Sequence, residues 1–210
     1  MWCAEAPVLT VGVDSGEVER RLTGGGLACP ACRGRLGPWG YGRARVVRGE
    51  GEVRWRLRPR RARCAGCGVT HVLLPVSVLV RRADVVAVIG AALACAAAGW
   101  GHRRIAVRLG RSAATVRGWL RRFRARAGPL RAAFTALLCA LNADPSLPEP
   151  AGSDVADAVA AIVAAAGAVA RRWAVAVFGV SPWQVAAAVT CGRLLTPGSF
   201  VELTNTGCPW

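Results

Sequence analysis

Two cysteine pairs constrain this chain before anything else does. Cys29-Pro-Ala-Cys32 and Cys64-Ala-Gly-Cys67 each place two thiols so that both sulfurs of a pair can reach one ion. Four thiolates at ~2.3 Å from a shared centre form a tetrahedron that suits zinc, and four protein ligands leave no position for water. The expected cofactor is therefore a structural Zn2+ held by Cys29, Cys32, Cys64 and Cys67. Gly34 and Gly68 follow the pairs closely, as tight knuckle turns need. No βαβ pattern of the thioredoxin kind surrounds either pair, which argues against redox chemistry. His71 stands four residues after Cys67. It could replace a cysteine ligand, touch a phosphate, or simply pack.

Thirty-one residues separate Cys32 from Cys64, so the interval has to be a structured excursion. GYGRARVVR, the turn GEGE and VRWRLR read as a β-hairpin. Val53, Trp55 and Leu57 alternate with Arg54, Arg56 and Arg58, the period of a strand with one apolar face. Arg43, Arg45 and Arg48 fall on the opposing strand. Rows of guanidinium groups repel one another unless an anion row screens them, and phosphates would do so. Arg43, Arg45, Arg54, Arg56 and Arg58 are thus expected to contact a DNA backbone. Pro59 ends the ladder and marks an edge.

The charge distribution points the same way. All 28 basic residues are arginine, and 25 of them lie in residues 20–131 beside only three acids, Glu50, Glu52 and Asp84. The formal net charge is +16. So one-sided a cation calls for a polyanionic partner. The first residues lack the charged and apolar regions of a signal peptide. The apolar runs 85–98 and 155–170 fall short of the ~20 residues of a membrane span. A cytoplasmic, nucleoid-associated protein that binds no membrane is expected. Cys95 and Cys139, in apolar helical runs, read as small core residues.

Residues 83–98, 102–109 and 112–127 read as three helices. Gly110-Arg111 forms the second turn, Ser112 is the N-cap of the third helix, and Gly128-Pro129 stops it. Ala106, small and four residues before Gly110, lets two helices cross closely. Ile105, Leu109, Val116, Trp119 and Leu120 point inward. That is the spacing of a helix-turn-helix. On the third helix, Ser112, Ala113, Thr115, Arg117 and Gly118 are the candidate base contacts, because arginine grips guanine and Ala or Thr meets a thymine methyl. Arg121, Arg122 and Arg124 lie further along and are assigned to phosphates.

These stretches carry a resemblance. "CPAC…LGPWG…RARVVRG…RPRRARCAGCGVTHVLLP" followed by "RRADVVAVIGAALACAAAGWGHRRIAVRLGRSAATVRGWLRRF" resembles an actinobacterial family that joins a zinc ribbon to a homeodomain-like helix-turn-helix. It is also similar to the N-terminal DNA-binding part of insertion-sequence transposases. The resemblance covers about residues 27–127. It implies zinc at the four cysteines, DNA contact by residues 112–121, and no reaction. Transposases cut with three acidic residues holding two metals. Glu50 and Glu52 share one turn here, and the C-terminal acids Asp144, Glu149, Asp154, Asp157 and Glu202 lack a strand-rich scaffold. No enzymatic activity is expected.

The expected fold is α+β, mostly α. Residues 1–26 form an N-terminal segment, 27–80 the zinc ribbon, 81–128 the helix-turn-helix and 129–143 a packing helix. A proline-rich linker (144–152), a helical pair (153–196) and a tail (197–210) follow. Ser153 caps a helix running to about residue 177, with Val155, Val159, Ile162, Ala166, Val169 and Trp173 on one face. Ser181-Pro182 opens another. Such a pair must pack on the helix-turn-helix, dimerise or dock a partner, and packing within the chain is the favoured reading. The functional expectation is a DNA-binding protein, a regulator or a mobile-element-associated recognition factor, acting on double-stranded DNA alone or as a homodimer. The alternative is an adaptor whose C-terminal helices recruit a transposase or integrase. RNA binding by the ribbon would need exposed stacking aromatics, and the stretch offers Trp39, Tyr41 and Trp55, the last expected to face inward.

Overall fold

The computed structural model describes residues 7–173 and 181–196. The chain begins with β1 (Val8–Val11) and α1 (Ser15–Thr23), the latter capped by Asp14, whose carboxylate accepts the amides of Gly16 and Glu17. β2 (Leu36–Tyr41), β5 (Arg60–Cys64) and β6 (Thr70–Pro75) join β1 in one sheet of order β1-β6-β5-β2. β1 runs parallel to β6, and the other two pairings are antiparallel. The stretch before residue 27, expected as a separate segment, thus supplies an edge strand of the ribbon sheet and the helix that covers it. A parallel pairing so distant in sequence carries no turn signal.

Residues opposed across an antiparallel ladder share a face. The register sets Leu36, Ala62, Cys64, His71 and Leu73 on one face. There Leu36, Ala62, Cys64 and Leu73 join Val11, Leu22, Leu27 and Cys29 in a small core beneath α1. The opposite face turns Val8 and Leu74 toward the larger helical core. Farther out, at the β5–β2 end, that second face carries Arg61 and Arg63.

The expected hairpin is present as β3 (Arg45–Arg48) and β4 (Arg54–Leu57). Its apolar face is only partly covered. Val47 is fully buried and Leu57 packs on the main core. Trp55, expected inward, shares that face but remains 39% exposed, and Val53, 59% exposed, lies outside the strand. Val47 and Trp55 stand opposite each other, so the difference lies across the hairpin: β3 rests against residues 83–85 and β4 is the outer strand. The β3 edge does not stay open: the Arg48 amide donates to the Ala83 carbonyl and the Val85 amide donates to the Arg48 carbonyl, at 2.7 and 3.0 Å.

Among the described residues, four longer helices and two of eight residues build the rest: α2 (Val86–Ala97), α3 (His102–Leu109), α4 (Ala113–Arg124), α5 (Ala127–Leu141), α6 (Asp154–Arg172) and α7 (Pro182–Val189). The fold is α+β and mostly α. Gly128-Pro129 does not end α4, which stops at Arg124; it sits in the first turn of α5, where the missing proline N–H costs nothing. Ser153 caps α6, and Ser181 forms a reciprocal capping box with Gln184 at α7. The expected continuation of α6 through 174–177 and the tail 197–210 lie outside the described residues.

α6 packs on α5, α2 and α7, and α7 reaches β1. The face of Val155, Val159, Ile162, Ala166 and Val169 is buried as the periodicity predicts, with Trp173 packed at its rim. Ala158, Ala161, Ala165 and Ala168 are buried too, because alanine lets neighbouring helices close on α6 from several sides. The C-terminal helices therefore pack within the chain. Cys139 is exposed rather than a core residue, and Cys95 is half-buried. No helix among the described residues is long and apolar enough to cross a membrane.

Candidate metal centre and nucleic-acid interface

Cys29 and Cys32 flank a tight turn between the bridged residues Ala28 and Arg35, while Cys64 ends β5 and Cys67 closes the turn toward β6. The ladder from Leu36 to Cys64 brings the two turns together. Among the described residues the four sulfurs form one cluster, all within 4.8 Å of one another. Cys32 Sγ lies 3.3 Å from Cys64 Sγ, and Cys29 Sγ lies 3.8 Å from Cys67 Sγ. The amides of Gly66 and Cys67 donate to Cys64 Sγ at 3.3 and 3.5 Å.

The surroundings fit a thiophilic cation. A Cβ on Gly34 would sit 3.0 Å from Cys64 Sγ and 3.2 Å from Cys32 Sγ, so only glycine lets the backbone pass this close. The amide of Cys67, then the thiol of Cys32 and the amide of Gly66, hold the Cys64 thiol down to about 6. Cys67 goes the other way, up to about 11: the Val69 amide favours its thiolate, but Cys32, burial, Cys64 and Cys29 together outweigh it. Sulfurs so crowded cannot all ionise alone, and a divalent cation removes that conflict. His71, the open ligand alternative, lies outside the sulfur cluster. It is buried, with Nε2 3.4 Å from Cys29 Sγ, where it can donate to the sulfur rather than replace it. Burial lowers its pKa and favours the neutral ring.

The helix-turn-helix is built as the residues predict. Ile105, Ala106, Val116 and Trp119 are buried, and Leu109 and Leu120 pack at the margin. Gly110 takes the left-handed conformation, φ 60°, and Ser112 caps α4 by accepting the Thr115 amide. Residues 82–131 match the family model of a homeodomain-like domain. No curated protein and no solved structure matches the chain. The homeodomain-like domain thus takes in α2, α3, α4 and the first turn of α5.

On α4, Arg117, Arg121 and Arg124 are exposed; Ala113, Thr115 and Gly118 are half-buried, and Ala114 is exposed beside them. The hydroxyls of Ser112 and Thr115 lie 2.8 Å apart and engage each other in the cap. Arg122 folds back to donate to the Gly118 carbonyl at 2.9 Å. On the hairpin, Arg43, Arg54, Arg56 and Arg58 are exposed. Arg45 corrects the expected outward row. It is half-buried, donates to the Leu79 carbonyl at 3.2 Å, and has its pKa lowered by desolvation. It shares the inner face with Val47, because it stands opposite Leu57 in the register.

Sequence reasoning missed the buried acid. Asp84 accepts Arg48 Nη2 at 2.6 Å and Arg111 Nε at 2.7 Å, and Arg111 Nη2 donates to the Gly49 carbonyl at 2.5 Å. Arg111 belongs to the turn before α4, so this network fixes the hairpin beside the N-terminal end of α4. Arg48, Arg54 and Arg56 share one hairpin face by register. The exposed pair Arg54 and Arg56 is therefore on the face that adjoins the homeodomain-like turn. For Asp84, being one of only three acids in the arginine-dominated residues 20–131, and the one outside the hairpin turn, was the available signal. Sequence reasoning also passed over Arg103, Arg104 and Arg108 on α3, all exposed. Arg104 stacks on Trp100, its guanidinium carbon 3.7 Å from the ring centre.

Proposed function

We propose that this chain recognises double-stranded DNA, placing α4 in the major groove while Arg54 and Arg56 of the hairpin grip an adjoining phosphate backbone. The observation that carries the reading is the Arg48–Asp84–Arg111 network. It aligns the arginine face of the hairpin with the N-terminal end of the helix that a homeodomain-like domain offers to bases. Arg117 is the base-reading side chain, and Arg121, Arg124 and the α3 arginines lie where phosphates pass. A structural zinc ion at Cys29, Cys32, Cys64 and Cys67 would lock the two knuckles of the ribbon. Its contribution is to hold the fold, since four thiolates leave no site for a substrate.

The protein acts in this reading as a regulator or as a recognition factor of a mobile element, without chemistry of its own. Recruitment of a transposase or integrase through the C-terminal helices has less to support it, because α6 spends Val155, Ile162 and Val169 on the core beneath the helix-turn-helix. Selection from a random duplex library with zinc-loaded protein tests the reading. An enriched motif supports it, and its symmetry separates a dimer's palindromic operator from a single element-end site. Retention of the library without enrichment would overturn sequence-specific recognition.

A further inference from the structure

Trp39 is one of the largest exposed apolar side chains, 49% open, on an edge strand of the ribbon sheet. Arg63, from the neighbouring strand, lays its guanidinium carbon 4.6 Å from the centre of the Trp39 ring. Arg63 Nε also donates to the Gly68 carbonyl at 3.2 Å. The ring and the guanidinium thus form one continuous surface. Beside them opens a recess of ≈ 580 Å³, bounded by Gly37, Pro38 and the Cys64–Gly68 knuckle. Its walls are glycine backbone, a flat proline ring and small side chains, so a planar group can approach closely. None of its lining residues is acidic. Asp14, Glu17 and Glu19 belong to α1 and its cap, which covers the other face of the sheet, and Glu19 is already paired with Arg60.

We propose that the Trp39–Arg63 recess binds an unpaired nucleotide, stacking its base on the aromatic–guanidinium platform and holding its phosphate with arginine. A duplex shows base edges in its grooves and keeps base faces stacked, so an exposed indole face is of use only to a strand whose bases are free. Guanidinium planes and aromatic rings serve equally as stacking surfaces for such bases. Arg61 lies on the same sheet face two residues along β5 and extends the cationic track. The site is separate from the α4 surface and does not depend on duplex recognition.

The test measures fluorescence anisotropy of labelled ten-residue oligo(dT) and oligo(U), and of a duplex, with full-length zinc-loaded protein. Trp39→Ala is expected to weaken the single strands about tenfold, the loss of one stacked base. It should leave the duplex unchanged, while Trp39→Phe restores most of the affinity and Arg63→Ala weakens the single strands again. Whichever strand binds more tightly identifies the sugar. Single-strand affinity that ignores Trp39→Ala, or an equal loss on duplex and single strand, overturns the proposal. Crosslinking of 4-thiothymidine-substituted oligonucleotide to the unmutated chain gives an independent readout. Adducts on the tryptic peptide that holds Trp39 support the site, and adducts confined to α4 sink it.

Discussion

Arg111 donates its Nε to Asp84 Oδ1 at 2.7 Å, and both side chains are more than nine-tenths buried. Asp84 is thereby the joint of the molecule, since its other oxygen takes Arg48 from the hairpin. Removing the acid would leave Arg111 charged and buried without its partner. Asp84→Ala is expected to cost about 3 kcal/mol in urea unfolding, in the range for breaking one side of a buried ion pair. Arg48 is 38% exposed, so Arg48→Ala should cost about 1 kcal/mol or less. Equal losses for the two variants would show that Arg111 is not the partner that matters.

That joint also shows where sequence reading stops. The two cysteine pairs, Gly110 and the caps at Ser112, Ser153 and Ser181 are legible because local chemistry decides them. The alternation of arginine with apolar residues gives the hairpin. It cannot give the direction of Arg45, because facing in or out depends on what lies beneath the strand. The pairing of β1 with β6 and the seat of Asp84 are long-range facts with no local signature. Trp55 reads as an inward residue by its alternation, and only its place on β4, the outer strand of the hairpin, leaves it 39% exposed.

Arg117 and the pair Arg54/Arg56 should fail in different ways. Arg117 is exposed on the second turn of α4, where a guanidinium can reach base edges. Arg117→Ala should cost about 1–3 kcal/mol on the selected site and little on random duplex. Replacing Arg54 and Arg56 together should lower affinity for every duplex. The slope of log affinity against log salt should fall by about 2, one unit for each lost phosphate contact. Competition binding across a salt series measures both, and identical behaviour of the two variants would remove the division of labour.

Metal binding by the four-cysteine cluster would carry a pH dependence whose sign is fixed by the thiols. Zinc binds thiolates, so protons compete with it. Cys64, held down to about 6, is mostly ionised at neutral pH, whereas Cys67, pushed up to about 11, still carries its proton. Apparent zinc affinity should therefore rise with pH between about 6 and 11, by about tenfold per unit for each proton displaced. One zinc per chain is expected, with proton release detected by calorimetry in buffers of different ionisation heat. His71→Phe removes the Nε2 contact with Cys29 Sγ and should weaken zinc by about 10–100-fold. Affinity independent of pH would mean that the cluster does not bind through thiolates.

Gly90 meets Trp183 where α2 and α7 cross. A Cβ at residue 90 would fall 2.1–2.3 Å from the indole carbons Cγ, Cδ2 and Cδ1, well inside van der Waals contact. The indole is large and packs on the main core, so it cannot simply turn away. Gly90→Ala should raise helix propensity in α2 yet destabilise the protein by about 1–3 kcal/mol, because overpacking outweighs the propensity gain. Trp183→Leu alone should also destabilise, by leaving space over the glycine. The double variant places the methyl in that space, so its loss should be smaller than the sum of the singles by about 1 kcal/mol or more. Urea unfolding of the three variants gives the cycle, and zinc content should stay constant because the ribbon core lies elsewhere. Strict additivity would mean that α7 does not close against Gly90.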